Sequence, residues 1–183
     1  MQIDPSNTWR MVEARLARES DPRRRRNLET VLAHMKAEAA GDLDGLMATI
    51  TTRETPHYHA YGADDPMFSP RGRDAVRQFY AAFVASGAVK LELDVQRLVV
   101  DEDLVITEGL MKIAYPGALL RLMGHAVDDA DSSYLFLTRM CVIWPMDADG
   151  KVIAEDTYTG GDGFAGIVER KLAPGDKLAV KAA

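Results

Sequence analysis

One short segment, Pro56–Gly62, carries two histidines and two tyrosines: His57, Tyr58, His59 and Tyr61. In a β-strand successive side chains point to opposite faces, so His57, His59 and Tyr61 would share one face, about 7 Å apart. Tyr58 would lie on the other face. Imidazole has the unperturbed pKa nearest neutrality, which suits it to proton transfer. The pattern favours a pocket at the histidine face over a polar, solvent-facing strand.

Composition excludes several classes of protein. The 183 residues suit one domain, and the net charge of −6 argues against a nucleic-acid binder. The single cysteine, Cys141, allows no intrachain disulfide and indicates a small buried side chain in a reducing compartment. No apolar run has the length of a membrane span, and residues 1–20 are too charged for a signal peptide. We therefore expect a cytoplasmic protein that binds neither nucleic acid nor membrane.

Helical patterns occupy the first half of the chain. Residues 1–20 form a predicted amphipathic arm, which could pack on its own domain or on a second subunit. Asp21-Pro22 is an N-cap signal and Gly41 a C-terminal stop, so the sequence predicts a helix between them. Asp42 begins a short helix and Gly72 precedes another.

Strand patterns follow the helices. The segments Val89–Val100 and Leu104–Tyr115 predict one hairpin, and Ser132–Met146 and Lys151–Thr159 a second. Glycines such as Gly109 would allow the sheet to bend. Residues 116–131, rich in Gly and Asp, predict a long loop of the kind that often covers a site. The order predicts an α+β fold in a domain at residues 21–163, followed by a tail at 164–183.

Short motifs in order along the chain resemble one known family. They are Gly41–Leu46, the strand reaching Gly62, the helix start Arg71–Val76, and the hairpin from Gly150 to Gly160. Over about residues 22–162 the chain resembles the nuclear transport factor 2-like superfamily, in the branch with SnoaL-like cyclases, ketosteroid isomerases and scytalone dehydratase. The resemblance implies a conical barrel, in which a strongly curved, mostly antiparallel sheet wraps around N-terminal helices and a deep apolar pocket. It also implies a homodimer or higher homo-oligomer.

The resemblance transfers functional residues only in part. The position of the proton-shuttling carboxylate of ketosteroid isomerases is His59 here, and that of their oxyanion tyrosine is His34. The strand Thr138–Trp144 lacks the second oxyanion acid, which argues against an ordinary ketosteroid isomerase. The key aspartate of SnoaL-like cyclases falls at Thr157, with Glu155 two residues earlier on the same face.

These residues suggest general acid–base catalysis if they converge on the pocket. We predict His59 as the general base and Glu155 as its orienting group or a second base, because a carboxylate fixes the tautomer of an imidazole. The candidate acids or oxyanion donors are His34, Tyr58, Tyr61 and Tyr80.

The remaining predicted pocket residues are expected to bind substrate. Arg139 could stabilise an anionic intermediate, although pairing with Asp156 across the hairpin is the favoured interpretation. The substrate-binding candidates are His57, Phe79, Tyr80, Phe83, Met111, Arg139, Met140, Trp144 and Thr157.

A metal site is the alternative for the histidines. His57 and His59 could chelate with Glu155, and His125 could join the aspartates of residues 128–131. Histidines on one strand face are also ordinary pocket residues, so we predict no metal. The chain has no P-loop and no GxGxxG motif, so no nucleotide cofactor is implied.

Three functions follow as hypotheses. The first is a cofactor-independent lyase, dehydratase or isomerase that acts on an apolar, aromatic or polycyclic, hydroxylated small molecule. The second is a non-catalytic small-molecule-binding or oligomerisation module, and the third is a protein that binds a partner through its sheet. Titratable groups gathered in one dry cavity would favour the enzyme.

Overall fold

The computed structural model describes residues 3–61, 68–86 and 90–173. Its helices are α1 (Ser6–Leu16), α2 (Pro22–Ala40), α3 (Leu43–Thr49), α4 (Arg73–Ala85) and α5 (Gly117–Leu122), followed by a 3₁₀ turn (Ile167–Glu169). Its strands are β1 (His57–Tyr61), β2 (Leu91–Val100), β3 (Leu104–Pro116), β4 (Ser133–Pro145) and β5 (Ala154–Thr159). The predicted α+β class is confirmed. Gly62, Val89 and residues 174–183, on which some expectations fell, lie outside the described residues.

The five strands form one curved sheet in the order β1-β5-β4-β3-β2. β1 runs parallel to β5, and the other neighbours are antiparallel. Helices α1 and α2 pack against it, and the imidazole of His34 on α2 lies 5.0 Å from the Trp144 ring on β4. A mostly antiparallel sheet wrapped around N-terminal helices is the predicted architecture.

Helix α2, which crosses the inside of the sheet, is defined by local chemistry at both ends. The Asp21 carboxylate accepts hydrogen bonds from the backbone N–H groups of Arg23 and Arg24, and Pro22 occupies the first turn. Gly41 ends the helix in the left-handed region at φ 66°. These are the boundaries that the sequence predicts.

Gly109 on β3 allows β2 to approach closely and change register. The β2–β3 pairing shifts between Val95 and Arg97, opposite Gly109. A Cβ atom at Gly109 would lie 2.0 Å from the backbone oxygen of Asp94. Such a bulge bends the sheet and increases its twist. The prediction that this glycine permits curvature therefore has a specific structural basis.

The segment predicted as a long loop at 116–131 contains helix α5 and a small apolar core. Leu120 and Val127 are buried against Tyr134 and Ile167. The Tyr134 hydroxyl also contacts the Asp128 carboxylate and accepts a hydrogen bond from the Asp129 backbone N–H. The segment is therefore packed onto β4 and the C-terminal turn, because its few apolar residues are enough to anchor it.

The N-terminal arm packs on its own sheet. Thr8 on α1 accepts a hydrogen bond from the Leu93 backbone N–H, and Asn7 donates to the buried Glu92 carboxylate. Cys141 is half-buried on β4, more exposed than the sequence suggested. Of the helices in the described residues, none has the length and apolar character of a membrane span.

Candidate functional site

A cluster of titratable side chains lies between the sheet and the helices. Tyr58 and Glu155 are register partners on the parallel strands β1 and β5. Tyr80 reaches them from α4, and His34 reaches Tyr80 from α2. The four side chains come from four elements that are far apart in sequence, so only the fold brings them together.

The Tyr80 hydroxyl is the centre of this cluster. Its oxygen lies 2.8 Å from Glu155 Oε2, 2.9 Å from His34 Nε2 and 3.0 Å from the Tyr58 hydroxyl. The other nitrogen of His34, Nδ1, lies 2.8 Å from Thr49 Oγ1. One continuous hydrogen-bonded chain therefore runs from α3 through His34 and Tyr80 to the β5 carboxyl.

The hydrogen-bonded chain has a closed, buried end at His34 and an open, partly exposed end at Glu155. His34 and Tyr80 are 0 % and 1 % exposed, whereas the Glu155 side chain is 18 % exposed. Glu38, one helical turn after His34 on α2, is also half-buried. A ligand would meet the carboxyls first, and the imidazole lies behind them.

Burial shifts the pKa of the titratable groups in the cluster. It raises the pKa of Glu155 to about 7, an effect that the hydrogen bond between Glu155 and the Tyr80 hydroxyl opposes and the nearby Asp156 charge reinforces. Burial, together with the Glu155 charge, raises the pKa of Glu38 to about 8. Burial lowers the pKa of His34 to about 3, so its imidazole is neutral at neutral pH. The pKa values of Tyr58 and Tyr80 are raised well above 10.0, mainly by burial.

Aromatic and apolar side chains pack against the core next to Tyr58 and on the strands β3 and β4. Phe79 on α4 contacts the Tyr58 ring edge-on at a centroid distance of 6.2 Å. Met111 and Met140 are half-buried and pack at the border of the main core. Thr157 is half-buried on the same face of β5 as Glu155, because its register partner is the buried Val142. The Tyr58 ring of the cluster is therefore in an aromatic environment.

His57, His59 and Tyr61 share the other face of β1, as the alternation predicts. His59 is exposed, and its Nδ1 lies 3.1 Å from Ser69 Oγ. Tyr61 is 43 % exposed and stacks on Tyr158. These side chains border a cleft of about 360 Å³. It is lined by His57, Tyr58, His59, Tyr61, Ser69, Arg71 and Asp156.

The expectation that His59 meets His34 and Glu155 is corrected by this arrangement. Tyr58 is the residue of β1 that points inward, and strand alternation then places His59 on the outer face. Of the three groups that were expected to converge, only His34 and Glu155 do so, with His34 Nε2 and Glu155 Oε2 3.9 Å apart.

Two further substrate-binding candidates lie away from the Tyr80 cluster. Arg139 is on the outer face of the sheet, where its guanidinium pairs with Glu108 and donates to Gln96 at 3.0 Å. The prediction that Arg139 pairs with Asp156 is therefore wrong, because its carboxylate partner is Glu108. Phe83 packs with Leu91 and Ile113 in a separate apolar group. Trp144, in contrast, contacts His34 directly.

Glu38 and Thr49 are cluster residues that sequence reasoning missed. The sequence does contain a signal for Glu38. This residue follows His34 by four positions and continues the buried stripe of Val31 and Met35 on the helix. A carboxylate in such a stripe is uncommon and indicates a special environment. Thr49 has no comparable signal, because a threonine near a helix end is common.

Within residues 3–61, 68–86 and 90–173, no three His, Cys, Asp or Glu side chains are arranged to hold a metal ion.

The Glu38→Gln substitution is expected to flatten the pH dependence of stability. Since the pKa of Glu38 is raised from 4.5 to about 8, the folded state binds this proton more tightly than the unfolded chain does. The resulting stability is complete below about pH 4.5 and is lost as the pH rises towards about 8. The variant should therefore gain melting temperature relative to wild type at alkaline pH and much less at acidic pH.

Thermal unfolding at both pH values measures this effect. Glu29→Gln, which changes a half-exposed carboxylate on the same helix, is the matched control. An identical difference between Glu38→Gln and wild type at both pH values would contradict the prediction.

Comparison with known proteins identifies the fold. The sequence model of the SnoaL-like domain family matches residues 31–155. No curated protein sequence matches the chain.

Solved structures agree with this match. A protein from Jannaschia sp. CCS1 assigned to the SnoaL-like polyketide cyclases is 21% identical, with a TM-score of 0.59 over 86% of this chain and 99% of that one. One from Shewanella denitrificans OS-217 with the same assignment is 12% identical, with a TM-score of 0.62 over 78% and 96%. SalBIII, an epoxide hydrolase/cyclase-like enzyme of pyran ring formation in salinomycin, is 14% identical, with a TM-score of 0.53 over 73% and 90%. At these identities the likeness establishes the fold.

Proposed function

Because the chain belongs to the SnoaL-like domain family, we propose that it is an isomerase- or cyclase-type enzyme that moves a proton on an apolar, carbonyl-containing small molecule. The observation that carries the proposal is the pair of half-buried carboxyls, Glu155 and Glu38, at the open end of the Tyr80 cluster. Two carboxyls with pKa values raised to about 7 and about 8 hold different protonation states near neutral pH. An acid and a base are then present together.

Glu155 is the general base in this proposal. Its carboxylate removes a proton from the carbon next to the substrate carbonyl. The electron pair of the broken C–H bond forms the C=C bond of the enolate, and the π pair of the carbonyl moves to its oxygen. The proton now on Glu155 returns to another carbon in an isomerisation. In a cyclisation the enolate carbon forms a bond to a second carbonyl of the same molecule, and the proton passes to the alkoxide.

Protonated Glu38 and the Tyr58 hydroxyl donate hydrogen bonds to the developing enolate oxygen in this scheme. Both groups keep their protons at neutral pH, because burial raises both pKa values. Donors fixed in an apolar site stabilise an oxyanion more strongly than water does. His34, with its pKa lowered to about 3, is neutral and does not act as the acid.

The substrate proposal follows from the lining. Phe79, Met111 and Met140 are partly buried at the border of the core and suit an apolar or aromatic molecule. This fits the polyketide cyclases and the cyclase-like SalBIII among the structural neighbours. The outer-face histidines, including His59, have no role in this reaction.

Exchange of carbon-bound hydrogen for deuterium tests the proposal. Aryl and polycyclic ketones are incubated with the protein in D₂O, and loss of the α-proton signal is followed by NMR. Wild type and Glu29→Gln should accelerate exchange of at least one ketone class, and Glu155→Gln should not. Exchange at the buffer rate with wild type for every ketone, or equal exchange by Glu155→Gln, would contradict it.

A further inference from the structure

The direction of the buried hydrogen bonds follows from one helical backbone contact. Thr49 Oγ1 lies 2.6 Å from the carbonyl oxygen of Leu46, one turn earlier in α3. A carbonyl oxygen only accepts, and a threonine hydroxyl has a single proton. The Thr49 proton is therefore used in that bond. Towards His34 Nδ1, 2.8 Å away, Thr49 is an acceptor.

This contact fixes the tautomer of His34. Nδ1 must carry a hydrogen in order to donate to Thr49. A neutral imidazole has one N–H, so Nε2 has a free lone pair. The full burial of His34, with its pKa lowered to about 3, keeps the ring neutral. His34 is thus an acceptor towards Tyr80.

Tyr80 has one proton and three neighbours that compete for it. Since His34 Nε2 at 2.9 Å has no hydrogen of its own, the Tyr80 proton satisfies it. In the protein without substrate, the Tyr80 oxygen then accepts from its remaining neighbours, the Tyr58 hydroxyl at 3.0 Å and Glu155 at 2.8 Å. Glu155 can donate only when its carboxyl is protonated.

We propose that Thr49 and His34 are positioning residues that hold the Tyr80 proton on the His34 side and so favour the proton-bearing form of Glu155. The chain of donors runs from Glu155 to Tyr80 and ends at His34, while a second set of bonds runs from His34 through Thr49 to the Leu46 carbonyl. The effect of this arrangement on Glu155 as a general base rests on the proposed function. The direction of the hydrogen bonds does not depend on that proposal.

Replacing Thr49 by valine should reverse the donor–acceptor direction of the hydrogen bonds from His34 through Tyr80 to Glu155. Without the Thr49 acceptor, a hydrogen on His34 Nδ1 would be buried and unpaired, so the ring would move its hydrogen to Nε2. His34 then donates to Tyr80, and Tyr80 donates to the Glu155 carboxylate. A hydrogen bond donated to a carboxylate stabilises its ionised form.

The other titratable groups around Glu155 keep their identities and charges in this substitution. They are Tyr80 from α4, Tyr58 from β1, His34 and Glu38 from α2, and Asp156 from β5 itself. The change in the Glu155 pKa therefore reports the direction of the Tyr80 hydrogen bond.

The test is a ¹³C NMR titration of the full chain labelled at glutamate Cδ, with Glu155 assigned by comparison with Glu155→Gln. In Thr49→Val the pKa of Glu155 should fall by about one unit or more, since hydrogen bonds to charged groups are the stronger ones. Thr49→Ser, which keeps the hydroxyl, should match wild type. In the Tyr80→Phe background, Thr49→Val should have no effect on Glu155.

An unchanged Glu155 pKa in a folded Thr49→Val protein would overturn the inference. The ¹⁵N shifts of His34 in wild type provide a second test that needs no variant: Nδ1 should be protonated and Nε2 should not, and the opposite tautomer would overturn it. Both tests use the resting protein without substrate. Failure here therefore leaves the turnover proposal intact, and failure of the exchange assay leaves this inference intact.

Discussion

Replacing Glu155 by glutamine is expected to lower kcat for α-proton exchange by about 10²–10⁴-fold, the usual contribution of a general base. Glutamine has nearly the same size and can still hydrogen-bond the Tyr80 hydroxyl, which lies 2.8 Å from the carboxylate it replaces. It cannot accept the proton. Binding of a ketone probe should change little, because the apolar lining is intact.

The control for this prediction is Glu29→Gln, which removes a carboxylate charge at a half-exposed position of α2. Steady-state kinetics of both variants, with melting temperatures to verify folding, make the comparison. Equal kcat in wild type and Glu155→Gln would remove Glu155 from the mechanism. A rise in KM with unchanged kcat would mean that Glu155 binds substrate and takes no part in the chemical step.

The Gly109→Ala substitution is expected to destabilise the fold by about 2–3 kcal/mol, at the upper end of overpacking effects. The added Cβ would lie 2.0 Å from the Asp94 carbonyl oxygen and 3.0 Å from Val95 Cα. Both contacts are with backbone, which cannot move without breaking the bulge between Val95 and Arg97. A straighter β2–β3 pair would also change how the sheet wraps around α2.

Gly161→Ala is the matched control, because a Cβ there meets no atom within 4 Å and the residue does not have a positive φ. Urea denaturation of both variants gives the two free energies of unfolding. The prediction fails if Gly109→Ala is as stable as Gly161→Ala.

The features that the sequence predicted well depend on neighbouring residues. The ends of α2 follow from Asp21, Pro22 and Gly41, whose effects are confined to one helical turn. The two-residue alternation correctly grouped His57 with His59 and Tyr61. Such signals do not require knowledge of the tertiary fold.

The inward face of β1 could not be predicted in this way. Alternation gives two faces, and it is the packing of Tyr80 and Phe79 from α4 that places Tyr58 inside. The histidines drew attention to the opposite face because imidazole is the usual acid–base group. Glu38 was overlooked for the converse reason, since a glutamate on a helix is usually exposed.

The resemblance pointed to three positions of the chain, and the structure separates them. His34 and the β5 position of Thr157, with Glu155 beside it, lie on the inner side of the sheet, whereas His59 is exposed on its outer face. The direction of each hydrogen bond in the cluster depends on Thr49 and on which atom carries each proton. That information exists only in the three-dimensional contacts.

The central claim is that the pKa of Glu155 lies near neutrality inside the site, so that its carboxyl both holds and releases a proton in the working pH range. Infrared difference spectroscopy of wild type against Glu155→Gln measures this directly, through the C=O band of a protonated carboxyl. With the pKa raised to about 7, the band should be present at about pH 6 and should disappear as the pH rises through 7. If the band is absent at pH 6 because Glu155 is already ionised, as an ordinary glutamate would be, the account is contradicted.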